Sequence, residues 1–437
     1  MANITVYESG TGYWNADIIT NATNGYVVNY AAAGVIGLNN GSTYDNQQYY
    51  WTGNFTQNAS GITGGTLNAL TYYDEGSYVL DITNLNLDYL SVAQYTQYSN
   101  DTARWSIVMG GNDYLYSVES SRLQFELYDG NDIAVTIYGE NDIEGGAGND
   151  QIYNYSSADN SDLYGDAGDD FLVDSIGDTY LNGGQGSDYI SAGGGNDYIS
   201  DNYSTGDNIV LGGGGADYIS LGDGADYVFS DYGSAEIGQD TIYAGYGNDT
   251  IFSGEGADYM DLSSGNDVGS GGNGADTIFG GNGNDYIYGD FGATEVGADS
   301  LNGGDGTDLI IGGAGNDTMN GSYGVDYLMP GTGTDSMTGG TDRDFFWWTA
   351  ANEFGDVISD FSTSQGDIIV IRPVLDAAGI SATAGNAAAA GYLSAAQSGT
   401  STILRFDADA GGAGAAVQIA LLQNFNAANF SWNFNAY

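Results

Sequence analysis

The sequence predicts an all-β protein in which a parallel β-roll, a form of β-solenoid, lies between two β-rich terminal domains. The middle of the chain repeats every nine residues, and each repeat places one apolar residue two positions after an aspartate. The chain of 437 residues also contains 72 glycines and only 2 prolines. A short fixed period is the signature of folds whose units stack on one another. We therefore divide the chain into residues 1–109, 110–347 and 348–437.

The repeat is clearest from residue 145 onward. It reads GGAGNDQIY from Gly145, GGQGSDYIS from Gly183 and AGGGNDYIS from Ala192, which gives the unit G-G-x-G-x-D-x-U-x with U apolar. From Asp217 to Asp344 the spacing is nine residues except after Asp226 and Asp285, where it is fourteen and predicts five-residue insertions that bulge from turns. Before Asp217 the ladder is interrupted, with the pair Asp188 and Asp197 and the single units at Asp150 and Asp170. The aspartates at the sixth position are Asp150, Asp170, Asp188, Asp197, Asp217, Asp226, Asp240, Asp249, Asp258, Asp267, Asp276, Asp285, Asp299, Asp308, Asp317, Asp326, Asp335 and Asp344.

Each position of the unit has a physical task. Glycine allows the turn to adopt positive φ and lets the backbone approach an ion closely. The aspartate and the turn carbonyls are the oxygen ligands that calcium prefers. The x-U-x triplet predicts a short strand whose U side chain points inward and whose flanking side chains point outward. The U positions are Ile152, Leu172, Ile190, Ile199, Ile219, Val228, Ile242, Ile251, Met260, Ile278, Ile287, Leu301, Ile310, Met319, Leu328 and Met337.

This unit resembles the RTX (repeats-in-toxin) nonapeptide of bacterial proteins exported by type I secretion, a calcium-binding β-roll repeat. The resemblance covers roughly residues 139–347. It implies that two units form one turn of the coil and that each Ca²⁺ lies between stacked turns, shared by aspartates 18 residues apart. The eighteen aspartates are then metal ligands, and several calcium ions are the expected cofactors. A flexible glycine-rich linker would have no reason to keep this spacing.

Four segments depart from the repeat, and the sequence does not give the number of ions bound beside them. One segment, Leu262–Ser270, has glycine at the U position, at Gly269. The other three, Asn154–Tyr164, Asp174–Asn182 and Asp201–Leu211, keep only fragments of the motif.

The charge and the missing residue types exclude most other chemistry. The chain has 58 acidic residues against 5 basic ones, a net charge of −53, and it has no histidine and no cysteine. Such a polyanion is repelled by nucleic acid. Without His or Cys, zinc sites, haem ligation by those residues, iron–sulfur clusters and Ser-His-Asp or Cys-His nucleophiles cannot be built. We expect no enzyme and no catalytic residues.

The two terminal domains differ from the repeats. Residues 1–109 are rich in Tyr, Asn and Thr with period-two alternation, which predicts either a small β-sandwich or an irregular start of the solenoid. Met1–Gly10 has no basic and apolar segments typical of a Sec signal peptide, and no apolar run long enough for membrane insertion occurs.

The C-terminal domain resembles the secretion-target domain found behind RTX arrays. The residues that carry this resemblance are Asp356, Ile358, Asp360, Phe361, Gly366, Asp367 and Ile369. An alternative, compatible with it, is a cap that closes the last coil, because an open solenoid end is an aggregation-prone edge.

Tyrosine recurs directly after the repeat aspartate and should point outward. Its presence indicates either the β-propensity of a solvated face or an aromatic contact surface for other subunits or glycans. The tyrosines at this position include Tyr189, Tyr198, Tyr218, Tyr227, Tyr259, Tyr286 and Tyr327.

These observations predict a secreted structural protein that folds on binding calcium outside the cell, after a type I-like export without a Sec signal peptide. It would assemble with itself, through N-terminal to C-terminal contacts, into a filament, matrix or S-layer. The alternative is an adhesin that displays its N-terminal domain and binds cell-surface polysaccharide. The sequence does not distinguish a filament from a two-dimensional lattice or an adhesin.

Overall fold

The structure is a computed structural model that describes residues 124–156, 160–231, 238–290, 296–380, 387–388, 390–410 and 414–430. Before residue 124 it gives the backbone of the strands, together with Asn112 and Leu115. The side chains of the predicted domain 1–109 and the two predicted insertions, at residues 232–237 and 291–295, lie outside the described residues. The chain divides into two compact units, Met1–Gly213 and Gly214–Tyr437, which are treated separately below.

The first unit begins with strands that pair mainly antiparallel. They are β1 (Asn3–Tyr7), β2 (Tyr13–Ala16), β3 (Ile19–Asn21), β4 (Gly25–Val27), β5 (Gly34–Asn39), β6 (Gln48–Asn58), β7 (Gly61–Asp74), β8 (Ser77–Thr83), β9 (Thr96–Tyr98), β10 (Thr102–Arg104) and β11 (Ser106–Val108). One antiparallel sheet runs in the order β2, β1, β5, β6, β7, β8. This β-rich part therefore has the antiparallel ladder that turn-rich, alternating sequences favour.

The solenoid of the first unit follows. Its strands are β12 (Tyr114–Ser117), β13 (Leu123–Glu126), β14 (Ile133–Thr136), β15 (Asn141–Ala147), β16 (Gln151–Asn154), β17 (Asp162–Ala167), β18 (Phe171–Asp174), β19 (Tyr180–Gln185), β20 (Tyr189–Gly194), β21 (Tyr198–Asp201) and β22 (Ile209–Gly214). From β12 to β20 the even-numbered strands pair in parallel, and from β11 to β21 the odd-numbered strands do the same. Strand β8 pairs antiparallel with β12, with Ile82 opposite Leu115, so the N-terminal sheet continues into one face of the solenoid.

The second unit, taken by itself, has the same alternation of strands. Its strands are β23 (Tyr218–Leu221), β24 (Tyr227–Phe229), β25 (Thr241–Tyr243), β26 (Thr250–Glu255), β27 (Tyr259–Asp261), β28 (Val268–Asn273), β29 (Thr277–Asn282), β30 (Tyr286–Tyr288), β31 (Ser300–Gly306), β32 (Leu309–Gly315), β33 (Thr318–Gly324), β34 (Tyr327–Gly333), β35 (Ser336–Thr341), β36 (Phe345–Trp347), β37 (Asp356–Ile358) and β38 (Ile368–Val370). Odd strands pair in parallel from β23 to β37, and even strands from β24 to β38. The predicted all-β parallel solenoid is confirmed.

The C-terminal end of the second unit closes one sheet with antiparallel strands. It contains the six-residue helix α1 (Arg372–Ala377), two short 3₁₀ helices (Ala351–Glu353 and Ala427–Asn429) and the strands β39 (Leu393–Ser398), β40 (Ser401–Phe406) and β41 (Val417–Leu422). Strand β41 pairs in parallel with β37, and β40 and β39 follow antiparallel. Helix α1 buries Val374 and Leu375, so its apolar side packs into the protein.

The solenoid core consists of the predicted U side chains. All sixteen are at most 1% exposed, and the residues on either side of them are more exposed, as in the burial pattern of β26 and β32. The predicted inward direction of these residues is therefore confirmed. Burying an aliphatic side chain contributes about 1.5–3 kcal/mol, and one such residue per unit makes a thin core.

Gly269, the glycine at a U position, lies opposite Leu262 of the same segment. A Cβ atom built on Gly269 would lie 2.9 Å from Cδ1 of Leu262, and Leu262 is fully buried. Leu262 therefore fills the core space that the missing U side chain would occupy. The departure from the repeat that the sequence shows in this segment is compensated within it.

We expect Leu262→Ala to destabilise the calcium-loaded protein by about 2–5 kcal/mol, because it opens a cavity beside a residue that has no side chain of its own. Adding Gly269→Val should recover part of this loss, while Gly269→Val alone should destabilise through the clash with Leu262. Denaturant unfolding of the three variants measures this. As a control, Leu301→Ala should not be rescued by Gly269→Val, and rescue there would contradict the local explanation.

Candidate metal centre

The repeat aspartates form columns linked by hydrogen bonds. In the first unit, the backbone N–H of Asp132 donates to Oδ1 of Asp150, that of Asp150 to Asp170 and that of Asp170 to Asp188, each at 2.7 Å. The second unit contains two such columns, in which the N–H to Oδ1 distances are 2.8–3.1 Å. One column is Asp217, Asp240, Asp258, Asp276, Asp299, Asp317 and Asp335, and the other is Asp226, Asp249, Asp267, Asp285, Asp308, Asp326 and Asp344.

All eighteen predicted ligand aspartates lie at the turns and are at most 3% exposed. Within the described residues, Oδ2 of eleven of them is buried and accepts no hydrogen bond. We call these atoms the orphaned oxygens, and they belong to Asp150, Asp170, Asp188, Asp267, Asp276, Asp285, Asp299, Asp308, Asp317, Asp326 and Asp344. Asp240 differs, because its Oδ2 accepts the hydroxyl of Ser230 at 2.5 Å. A buried carboxylate oxygen without a partner is strongly unfavourable unless a cation compensates it.

In most units the first glycine opens the space beside the orphaned oxygen. A Cβ atom on Gly165 would lie 2.4 Å from Oδ2 of Asp170 and 2.4 Å from the carbonyl oxygen of Gly183 on the next coil. In the second unit, a Cβ atom on Gly321 would lie 2.4 Å from Oδ2 of Asp326 and 2.5 Å from the carbonyl of Gly339. A carboxylate oxygen and a main-chain carbonyl therefore face the same small space, which any larger residue would fill.

Burial raises the pKa of these carboxyl groups far above the ordinary value of 3.8. Burial, with the nearby charges of Asp317, Asp276 and Asp290, raises the pKa of Asp299 to about 8. Burial likewise raises the pKa of Asp170 to about 7. Keeping a column of these buried carboxylates ionised without a counter-charge therefore opposes folding. The ionised columns therefore require a compensating cation.

The donor set fits calcium. Carboxylate and main-chain carbonyl oxygens are hard ligands, and Ca²⁺ takes six to eight of them with flexible geometry. Among the described residues no group of three or more acidic side chains gathers as a metal cluster, so main-chain carbonyls would supply most donors. The orphaned oxygens and the carbonyls of the next coil's first glycine are the atoms that would hold the ion. When bound, the ion supplies positive charge that keeps these carboxylates deprotonated.

The columns end on two aspartates of the C-terminal domain. The N–H of Asp335 donates to Oδ1 of Asp356 at 2.9 Å, and the N–H of Asp344 donates to Oδ1 of Asp367 at 3.3 Å. Their second oxygens are also bonded, Oδ2 of Asp356 by Nε1 of Trp348 and Oδ2 of Asp367 by the Ser362 N–H, both at 2.7 Å. These carboxylates terminate the columns without an orphaned oxygen.

Sequence reasoning singled out these two terminating aspartates only for their resemblance to a secretion-target domain. Their distances of 21 and 23 residues from the preceding column members break the nine-residue spacing. At the other end, Asp132 is the first member of this column among the described residues, and the sequence shows it only as a weak echo of the repeat, GNDIA from Gly130.

In the degenerate segments, other residue types take the place of an aspartate in the hydrogen bonds between coils. Oδ1 of Asn208 accepts the N–H of Asp188 at 2.9 Å, and its Nδ2 donates to Oδ2 of Asp201 at 2.8 Å. The N–H of Thr179 donates to Oδ1 of Asp197 at 2.8 Å. A neutral amide thus replaces a carboxylate at one level, which lowers the local negative charge while the coils remain in register.

Comparison with known proteins agrees with this site. The family model for the RTX calcium-binding nonapeptide repeat matches residues 128–160, 155–173, 164–199, 203–234, 230–269, 261–296 and 294–328. These segments are RTX calcium-binding nonapeptide repeats, which are typical of extracellular proteins. No curated protein sequence matches the chain.

One similar solved structure is an X-ray crystal structure of a hyperactive, Ca²⁺-dependent, β-helical antifreeze protein from an Antarctic bacterium. It is 16% identical, the match covers 63% of this chain and 90% of that chain, and the TM-score is 0.28. Within the described residues, no helix is long and apolar enough to span a membrane.

The raised pKa values predict that protonation of the aspartates can stabilise the metal-free fold in place of calcium. The unfolded carboxyl groups have a pKa of 3.8, whereas in the folded chain the pKa is about 7 for Asp317 and about 8 for Asp299. At pH values between these limits the folded chain holds more protons than the unfolded chain. Stability without metal should therefore rise as the pH falls through this window. Metal-free protein should gain β-type circular dichroism between pH 8 and pH 5, while calcium-loaded protein should change little. Equal folding of the metal-free protein at both pH values would contradict this.

A methyl group placed beside an orphaned oxygen should weaken calcium binding. In Gly303→Ala, Cβ would lie 2.4 Å from Oδ2 of Asp308 and 3.0 Å from the carbonyl of Gly321. We expect the calcium concentration at the folding midpoint to rise several-fold, measured by circular dichroism. Gly269→Ala is the matched control, since its Cβ meets only the core side chains of Leu262 and Ile278 and no ligand oxygen, so it should shift the calcium midpoint much less. A shift of equal size in both variants would contradict the assignment.

Proposed function

We propose that this protein is a secreted, calcium-dependent structural protein that folds outside the cell and assembles into an extracellular filament, matrix or S-layer. The observation that carries the proposal is the set of orphaned oxygens, buried at the turns with no proton donor in the described part of the chain. A chain that needs a cation beside these oxygens is unfolded where calcium is scarce and folded where calcium is abundant. Metal-binding free energy then becomes folding free energy.

This requirement suits export of an unfolded chain. A type I-like route threads the chain through a channel before folding, and the resemblance of the C-terminal domain to a secretion-target domain supports it. In the folded protein the same domain supplies Asp356 and Asp367, which terminate the hydrogen-bonded columns. One segment would then serve both as an export signal and as the cap of the solenoid.

Stacked aromatic rings on the outer faces support a role in contacts with other molecules. Tyr180 and Tyr198 stack with ring centroids 5.4 Å apart and an interplanar angle of 11°. Phe171 and Tyr189, both partly exposed, stack at 4.5 Å and 6°. Stacked rings present a rigid apolar face with polar hydroxyl groups, a combination that is enriched at protein interfaces.

Self-assembly is the use of this surface that we favour. A second copy of the chain carries the same rigid faces, and calcium would screen the repulsion between two acidic surfaces. Growth through contacts between the N-terminal part of one subunit and the C-terminal part of the next would be heterologous and would produce an open filament.

The second candidate is an adhesin that binds cell-surface polysaccharide. The aromatic row Tyr218, Tyr243, Tyr259 and Phe279 favours it, since consecutive rings lie 5.8 Å apart along one face. Aromatic faces of this kind bury the apolar faces of sugar rings as well as those of protein side chains.

Electron microscopy of the purified protein separates the two candidates. With calcium at millimolar concentration we expect ordered filaments or sheets that dissolve when a chelator is added, because the subunits lose their fold with the metal. Tyr198→Ser should reduce assembly while leaving the calcium midpoint of folding unchanged. Persistent monomers that bind an immobilised polysaccharide would favour the adhesin and contradict the assembly proposal.

A further inference from the structure

Two turns of the second unit replace the second glycine of the repeat with aspartate. The sequences around the two five-residue insertions resemble each other, with five of twelve positions identical, FSDYGSAEIGQD from Phe229 and YGDFGATEVGAD from Tyr288. The extra aspartates, Asp231 and Asp290, precede the insertions and do not belong to the predicted set of ligands.

In ordinary turns, main-chain hydrogen bonds connect the second position of the repeat to the neighbouring coil. The N–H of Asn282 donates to the carbonyl of Ser263 on the preceding coil at 2.9 Å. At the two insertions a carboxylate replaces that carbonyl. The N–H of Ala314 donates to Oδ2 of Asp290 at 2.6 Å, and the N–H of Glu255 donates to Oδ2 of Asp231 at 2.7 Å.

The carboxylate of Asp290 fits into space left by a glycine. A Cβ atom on Gly313 would lie 2.6 Å from Oδ2 and 2.6 Å from Cβ of Asp290. The side chain of Asp290 is only 6% exposed. The Gly297 N–H lies near this carboxylate, but it donates to the Ala314 carbonyl at 2.9 Å, so within the described residues Oδ1 of Asp290 accepts no hydrogen bond of ordinary geometry. A second buried carboxylate oxygen without a partner is therefore present at this turn, in addition to Oδ2 of Asp299.

Asp290 lies beside the spaces that hold the orphaned oxygens. It follows Gly289, whose Cβ would lie 2.3 Å from Oδ2 of Asp299 and 2.4 Å from the carbonyl of Gly312. The N–H of Asp290 donates to that same carbonyl at 3.1 Å. The charge of Asp290 contributes to the raised pKa of Asp299 and of Asp317, which agrees with a position between their carboxylates.

We propose that Asp290 is an additional calcium ligand, which gives the turn between Asp299 and Asp317 a second side-chain carboxylate. Oδ2 of Asp290 holds the next coil through the Ala314 N–H, and Oδ1 is directed to the ion. Because calcium affinity rises with the number of charged ligands, this turn binds the ion more tightly than turns with one carboxylate. The related turn at Asp231 differs, since the Ser230 hydroxyl already bonds Oδ2 of Asp240.

The test compares variants that separate the two oxygens of Asp290. Asp290→Asn keeps a carbonyl oxygen for the Ala314 N–H but removes the charge, whereas Asp290→Ala removes both. Asp305→Asn is the matched control, an exposed acid on the following turn. Calcium titrations followed by circular dichroism and by calorimetry should show at least a threefold weaker tightest class of sites for Asp290→Asn. Asp305→Asn should resemble the unmodified protein.

Two results would overturn the proposal. If Asp290→Asn binds calcium like Asp305→Asn while Asp290→Ala is impaired, then Asp290 serves only as a hydrogen-bond acceptor. A crystal structure of the unmodified, calcium-loaded chain gives an answer even where a variant does not fold. Oδ1 of Asp290 should there coordinate a calcium ion, and an Oδ1 atom without a bound cation would refute the assignment.

Discussion

The buried carboxylate at each turn is the interaction on which the rest of the solenoid depends. Its Oδ1 accepts the N–H of the equivalent residue one coil earlier, as between Asp308 and Asp326. This bond aligns the coils, and it also draws the whole carboxylate into the turn, where Oδ2 has lost its water. The same residue therefore fixes the register of the backbone and creates the need for a cation.

The glycines and the thin aliphatic core follow from that constraint. A turn that holds a carboxylate and a carbonyl within reach of one small space cannot also hold a Cβ atom, as Gly165 shows. The core contributes one buried aliphatic residue per unit, which is too little to offset unpaired carboxylates. Hydrophobic burial selects the inward side of each strand, while in the proposed function the metal determines whether the strands form at all.

The sequence was sufficient to predict the solenoid and the position of its core, because the spacing of nine residues identifies both the turn and the inward residue. It was insufficient where the structure compensates for a broken pattern. Leu262 fills the core beside Gly269 from outside the U position, and Asn208 replaces a carboxylate through a hydrogen bond between coils. Such substitutions depend on contacts between residues that no local period connects, so inspection of the repeat alone does not find them.

The C-terminal residues show why the ends of the columns were the hardest part to foresee. Asp356 and Asp367 break the spacing of nine, yet each accepts the N–H bond that an additional coil would have received. Trp348 and the Ser362 N–H then bond their second oxygens, so the need for a cation ends where the repeat ends. A column of carboxylates can stop only where both oxygens are bonded by the protein itself. The cap is therefore defined by hydrogen-bond donors to Oδ2, which the eleven orphaned oxygens lack within the described residues.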